Sequence, residues 1–281
     1  MSFNRALMAL TLLLASVAAL AGAPAPEQNQ APDQALIQAV ANPARTPAFR
    51  ERDVYRHPVQ TLEFFGIKPD QTVVEIWPSS GWYTEILAPY LHEHGKYYAA
   101  GPAASLPNTS DETRKNVAGF QQKLASDPAR YSAVTVTEFR PPQRTEICPA
   151  GSADLVLTFR NVHNWIEGGY EQDAFNAFYK ALKPGGVLGV VEHRAKPYTT
   201  LEQTKKSGYV DESYIKTLAA KAGFRFVAGS KVNDNPKDTK DYPKGVWTLP
   251  PTLTLGDTDK AKYLAIGESD RMTLKFVKPA G

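Results

Sequence analysis

The residues best suited to chemistry gather just past two apolar runs. Arg160, Asn161, His163 and Asn164, with Trp165 behind them, follow Ala153–Phe159, and His193 follows Val187–Val191. Read as parallel strands, both runs end at one edge of a sheet, where doubly wound folds bind their ligands. Histidine can take a proton near neutral pH, and arginine can hold a carboxylate through two parallel hydrogen bonds. His163 and His193 are therefore candidate general bases and Arg160 a candidate anion holder, although hydrogen-bonded structural histidines account for the same pattern. His57, beside Tyr55 and Arg56, is a further candidate to close over the site.

A second stretch, TVVEIWPSSGWYT from Thr72 to Thr84, has an apolar strand carrying Glu75, a turn of Pro, Ser and Gly, and an aromatic helix start. The free N–H groups and positive dipole end of such a helix face the same crevice.

The elements that must position these residues are legible in order. Pro58 opens a helix with Leu62, Phe64 and Phe65 on its apolar face, closed by Gly66. Strand Thr72–Ile76 comes next, then a helix through Trp82, Ile86, Leu87, Tyr90 and Leu91, then strand Lys96–Ala100, ended by Gly101 and Pro102. Ser110 caps a helix over Asp111–Ala125, and strands Ala133–Phe139 and Ala153–Phe159 follow. A helix with Phe175 and Phe178, strand Val187–Val191, a helix capped by Asp211, and strands Phe224–Ala228 and Arg271–Val277 complete the series. This alternation predicts an α/β fold with a doubly wound, mostly parallel sheet. Asn233–Tyr263, rich in Pro, Lys, Asp and Thr and carrying Trp247, is too long for an ordinary connection and reads as a lid or binding loop.

The 281 residues suffice for one domain over 47–281, with a short helix from Asp33 to Val40 and a second from Pro47 to Tyr55 ahead of the sheet. Arg5, the apolar run from Ala6 to Leu20 and the A-x-A pattern of Ala19 and Ala21 predict a signal peptide over residues 1–21, hence a periplasmic or secreted protein. A flexible leader within 22–46 follows, and no second apolar run is long enough to anchor the chain stably in a membrane. Cys148 is the single cysteine, so no disulfide forms within the chain. A formal net charge of +3 without a basic stripe disfavours nucleic acid. His92 and His94 lack further ligands at suitable spacing, so no metal site is expected.

Together the strand and turn Val73–Gly81, the strand beginning at Asp154, and the phrase Leu182-Lys183-Pro184-Gly185-Gly186 before a buried strand resemble class I (Rossmann-like) S-adenosylmethionine-dependent methyltransferases. WPSSGWYTE, FRNVHNW and GESDRM further resemble a group of exported bacterial proteins identified as methyltransferases by sequence. The resemblance covers most of Pro58–Lys278. It implies a seven-stranded sheet with an antiparallel last strand, S-adenosyl-L-methionine as cofactor across the ends of the first, second and fourth strands, and a small-molecule acceptor.

Carried over, Glu75 takes the acidic position ending strand one, and Gly81 the last glycine of the G-x-G-x-G turn. Glu138 matches the acidic position near the adenine, and Asn161 lies on the cofactor side of the crevice. Trp77 and Ser79 stand where the first two glycines belong, and Gly101 where a carboxylate usually holds the ribose. The tryptophan is expected to deny the turn its positive φ. The missing carboxylate removes roughly 2–4 kcal/mol of hydrogen bonding, while an aromatic wall can instead face a sulfonium.

Two functions follow: methyl transfer to a small acceptor, with His163 or His193 as base, or an exported, catalytically inactive ligand-binding protein on the same fold. A nicotinamide-dependent dehydrogenase is disfavoured because only one of the turn glycines remains.

Overall fold

A computed structural model describes residues 33–281; the expected signal peptide and most of the leader lie outside them. The strands are β1 (Thr72–Ile76), β2 (Lys96–Pro102), β3 (Val134–Phe139), β4 (Ala153–Phe159), β5 (Leu182–His193), β6 (Arg225–Ser230) and β7 (Arg271–Val277). They form one seven-stranded sheet in the order β3-β2-β1-β4-β5-β7-β6. The first five are mutually parallel where they pair, and β7 runs antiparallel to both β5 and β6. After β1 the chain winds outward through β2 and β3, then returns to β4 on the other side. The carboxyl ends of β1 and β4 therefore flank the point where the winding reverses, and the crevice opens there.

Successive strand side chains alternate between faces, so an apolar run such as Val73–Val74 serves two cores at once. Val73, Leu155 and Leu157 face one cluster, with Leu36 of α1 (Gln34–Ala41), Leu62 and Phe65 of α4 (Pro58–Phe65), Ile86 and Leu87 of α5 (Thr84–Leu91), Phe120 of α6 (Asp111–Ser126) and Tyr131 of α7 (Pro128–Tyr131). Val74, Ile76 and Val156 face the other, with Trp165 and Ile166 of α8 (Val162–Gly168), Phe175 and Phe178 of α9 (Glu171–Ala181) and Ile215 and Leu218 of α11 (Glu212–Ala222). Gly189 of β5 lets α4 approach the sheet: a Cβ there would lie 2.8 Å from the Phe65 ring.

Caps fix the helix starts, at Asp211 as the sequence anticipates, where it accepts from the Ser213 N–H at 2.7 Å. Asp33, expected inside the first helix, caps it instead, accepting from the Leu36 N–H at 3.0 Å. The expected Pro47–Tyr55 helix divides into α2 (Pro47–Arg50) and α3 (Asp53–Arg56). Strand β2 continues through Gly101 and Pro102 rather than stopping before them.

The long insertion is a folded part of the domain. It contains a 3₁₀ turn, Gly245–Thr248, and most of the approach to α12 (Lys260–Ile266), which stands before β7; α10 (Leu201–Ser207) lies beside that turn. Buried Asn233 donates to Thr61 at 3.0 Å and to Thr273 at 2.9 Å, and buried Asp238 accepts from the Tyr209 hydroxyl and the Asp270 N–H. Such satisfied polar groups hold a segment in register far better than its sparse apolar content could.

Candidate active site

The turn after β1 keeps its unusual backbone without its glycines. Trp77, Ser79 and Gly81 have φ of 50°, 56° and 84°, so the expectation that tryptophan denies positive φ is corrected. Left-handed geometry costs a non-glycine residue roughly 1–2 kcal/mol, and local contacts compensate. The Trp77 indole N–H donates to the Phe139 carbonyl at 3.0 Å, and its ring meets Trp165 edge-on at 6.0 Å. At Gly81 a Cβ would come within 3.3 Å of Phe120 and Lys123, so glycine is needed for space as well as for φ.

Glu75 is buried at the end of β1 and accepts from Thr84 Oγ1 at 3.2 Å and from the Tyr97 hydroxyl. Burial raises its carboxyl to about 7 against the pull of those hydrogen bonds. The carboxylate of Glu138 accepts from the N–H of Ser105 at 2.8 Å, from its hydroxyl, and from Arg144. The Glu138 carboxylate is thereby already engaged by Ser105 and Arg144.

Two adjoining cavities open at this edge. The smaller, about 280 Å³, is lined by Gly101, Pro102, Val117, Phe120, Val136 and Glu138. The larger, about 470 Å³, is lined among others by Glu75, Tyr83, Arg160, His163, His193 and Trp247. Trp77, Pro78, Ser79, Asn161 and Asn164 border both. The indole thus divides the crevice without filling it. Every sequence-predicted site residue except Gly81 and His57 therefore borders one or both cavities. Gly81 shapes the turn from behind, and His57 faces Asn233 Oδ1 at 3.5 Å instead.

Arg160 closes β4 with φ of 60°, the third left-handed non-glycine residue at this edge. Asn161 donates to the Ile76 carbonyl at 2.9 Å and so staples the ends of β1 and β4 together. Glu192, fully buried in β5, accepts from the N–H of Val162 at 2.7 Å, from the N–H of His193 at 2.8 Å and from His163 Nδ1 at 3.1 Å. A carboxylate partner requires Nδ1 to carry the proton, which leaves His163 Nε2 as a lone-pair acceptor.

The His163 and His193 rings lie 5.4 Å apart, and His193 Nδ1 is 2.5 Å from Ser269 Oγ. Burial, then His163, Arg271, Arg160 and Arg56, hold His193 well below its ordinary pKa, so it is neutral at pH 7. The donor atoms of His163, Glu192 and His193 all lie within 4.8 Å of one another. This arrangement serves a hydrogen-bonded clamp better than a cation, because Glu192 is already saturated and arginines face the group.

The sequence reading missed the other charged half of the site. Glu268 accepts from Arg52 Nε at 2.6 Å, Arg56 Nε at 3.3 Å and an Arg271 terminal nitrogen at 2.6 Å. Burial alone would raise its carboxyl, yet Arg271, Arg56, Arg160 and Arg52 hold it at about 2. Arg56 lies over the Trp82 ring at 4.7 Å, which assigns that tryptophan to positioning Arg56. The signal available in sequence was a charged residue at the end of an otherwise apolar strand, Glu192, and an acid-base run, GESDR, directly before β7.

The expanded wall also includes Val246, Trp247, Pro250, Pro251 and Thr252 of the insertion, with the Trp247 ring 6.0 Å from His163. Against the cofactor implied by resemblance, the turn's backbone and the cavity volumes fit. The ribose position lacks a carboxylate because Gly101 stands there, and Ser79, Asn161 and Asn164 are polar residues bordering both cavities.

No protein-family model matches the chain, and no curated protein does. Solved structures do match. A SAM-dependent methyltransferase from Aquifex aeolicus superimposes with a TM-score of 0.53 at 15% identity, covering 81% of this chain and 93% of that one. The [4+2]-cyclase SpnF gives 0.52 at 14% identity over 88% and 92%. Phosphoethanolamine N-methyltransferase 2 of Haemonchus contortus, solved with S-adenosyl-L-methionine, gives 0.51 at 16% over 80% of this chain and 53% of that one. At such identities the likeness concerns architecture, and this chain has the class I methyltransferase fold.

Proposed function

We propose that this protein is an S-adenosylmethionine-dependent methyltransferase acting on a small-molecule acceptor. The observation that carries the reading is a pair of adjoining cavities at the carboxyl ends of β1 and β4, with a carboxylate-oriented histidine in the wall of the larger. The turn Trp77–Gly81, Asn161, Asn164 and the lining of the smaller cavity would hold the donor. When bound, it supplies a methyl group made electrophilic by a sulfonium.

The chain's own residues contribute position, dryness and a place for a proton. Glu192 fixes the His163 tautomer so that Nε2 can accept a proton from a hydroxyl or amine. His193, held neutral, can do the same. Trp247, Pro250 and Pro251 cover the larger cavity with apolar surface and restrict water. Calorimetry of the full chain with S-adenosylmethionine and S-adenosylhomocysteine tests the reading. Saturable heat with both is expected; no heat with either at millimolar concentration overturns it.

A second reading, a ligand-binding protein without turnover, is favoured by one feature: Gly101 in the wall of the smaller cavity leaves the ribose position without a carboxylate. It predicts S-adenosylhomocysteine binding with no methyl transfer to any of a panel of carboxylate, amine and hydroxyl acceptors.

A further inference from the structure

Charge in the larger cavity is unbalanced. Arg52, Arg56 and Arg160 border it, Arg271 stands buried behind Glu268, and Arg52, Arg56 and Arg271 share the Glu268 carboxylate by hydrogen bonds. Glu75, the other acidic group in the wall, is raised to about 7 and so is only partly ionised at neutral pH. Among the described residues Arg160 finds no side-chain hydrogen-bond partner, although every other arginine of the cluster does. Removal from water and the nearby Arg271 pull its guanidinium down to about 10. Like charges gathered in a partly dry wall repel, and the arrangement is relieved when an anion joins them.

We propose that the larger cavity is a site for an anionic small molecule, whose carboxylate or phosphate is held by Arg160 with Arg56 and Arg52 beside it. Glu268 serves as an internal counter-charge that holds Arg52 and Arg56 at the cavity wall, with Arg271 buried behind it. The planar fork of Arg160 offers paired donors that match either oxyanion. The strained φ of Arg160 aims the side chain at this point rather than along the strand's own course. The inference rests on the methyl-transfer reading only in making this anion the acceptor; the charge imbalance asks for an anion whether or not a methyl donor binds.

The experiment titrates the full chain with inorganic phosphate and, separately, with acetate. Both use constant ionic strength against chloride, with thermal midpoint and calorimetric heat as readouts. Wild type is expected to show saturable stabilisation by at least one of the two. Arg160→Gln should weaken it about tenfold or more, and Arg160→Lys should retain part of it. Because Arg160 makes no side-chain hydrogen bond among the described residues, the glutamine variant should remain folded without ligand, which its own midpoint checks.

No stabilisation beyond chloride, or binding unchanged in Arg160→Gln, overturns the site. A third arm adds S-adenosylhomocysteine. If phosphate and S-adenosylhomocysteine bind together, the anion belongs to an acceptor; if they compete, the pocket takes the donor's own carboxylate and the acceptor assignment is overturned. Loss of S-adenosylhomocysteine binding with phosphate binding intact overturns the methyl-donor reading alone.

Discussion

The two sides of the crevice handle polarity in opposite ways. On the β1–β2–β3 side the polar groups are committed to the fold: Glu75 to Tyr97 and Thr84, Glu138 to Ser105, and the Trp77 indole to Phe139. On the β4–β5–β7 side guanidiniums outnumber carboxylates, and Arg160 has no side-chain hydrogen bond among the described residues. The first side therefore defines a shape, and the second defines a charge. A fold can be kept by the first alone, whereas selectivity for a ligand has to come from the second.

The largest expected effect breaks the charged side. Glu268→Gln leaves three arginines facing one another without their shared counter-charge, and removing one member of a buried ion cluster costs about 3–5 kcal/mol. Urea unfolding of the variant measures the loss. If it is under about 1 kcal/mol, water already screens the cluster and the contrast between the two sides dissolves. Arg160→Gln in the same background should recover part of the loss, because it removes one repelling charge.

The next effect belongs to the shape-defining side and shows in pH. The folded Glu75 carboxyl is raised by burial to about 7 from its ordinary value of 4.5, so its contribution is fully present below the unfolded value and declines as pH rises through the folded one. Between those two values the protein should lose about 3 kcal/mol of stability from this group. Glu75→Gln should flatten that interval, as urea midpoints across pH 4 to 8 would show. An unchanged slope would mean that water or an unseen partner reaches the carboxylate.

Trp77→Gly should come third. It restores the smallest residue at a left-handed position, recovering about 1 kcal/mol of backbone strain, but forfeits indole packing worth about 3 kcal/mol. A net loss near 2 kcal/mol and a joined cavity are expected. S-adenosylhomocysteine affinity should rise if the indole merely divides the crevice, and fall if the ligand uses it as a wall.

The sheet was legible because its signals are local. Apolar runs of strand length, the caps Ser110 and Asp211, and the Lys-Pro-Gly-Gly phrase each specify an element within a few residues. Half of the site was legible for the same reason, since Arg160–Asn164 and His193 sit directly at strand ends. The arginine cluster was not. Arg52, Arg56, Glu268 and Arg271 come from segments more than 200 residues apart, and they meet only because β7 inserts beside β5. Nor could periodicity indicate that Trp77 and Ser79 would hold a glycine-like backbone, since that depends on Phe139 and Trp165 packing from other elements.

The smallest effect sharpens the line between the two sides at Glu192. This carboxylate does two things at once: it accepts from the first N–H groups of α8 and it orients His163. Glu192→Gln keeps an acceptor oxygen for the helix, so stability should fall by only about 1 kcal/mol, the scale of a helix cap. The amide can also donate to Nδ1, which releases the tautomer and removes the negative charge beside the ring. Nitrogen NMR shifts of the His163 ring at fixed pH should therefore lose the pure Nδ1–H pattern in the variant while the fold persists. If both stability and tautomer stay as in wild type, Glu192 is no more than a structural acceptor. The histidine then joins the committed polar groups of the other side, and the proposed proton acceptor must be His193 alone.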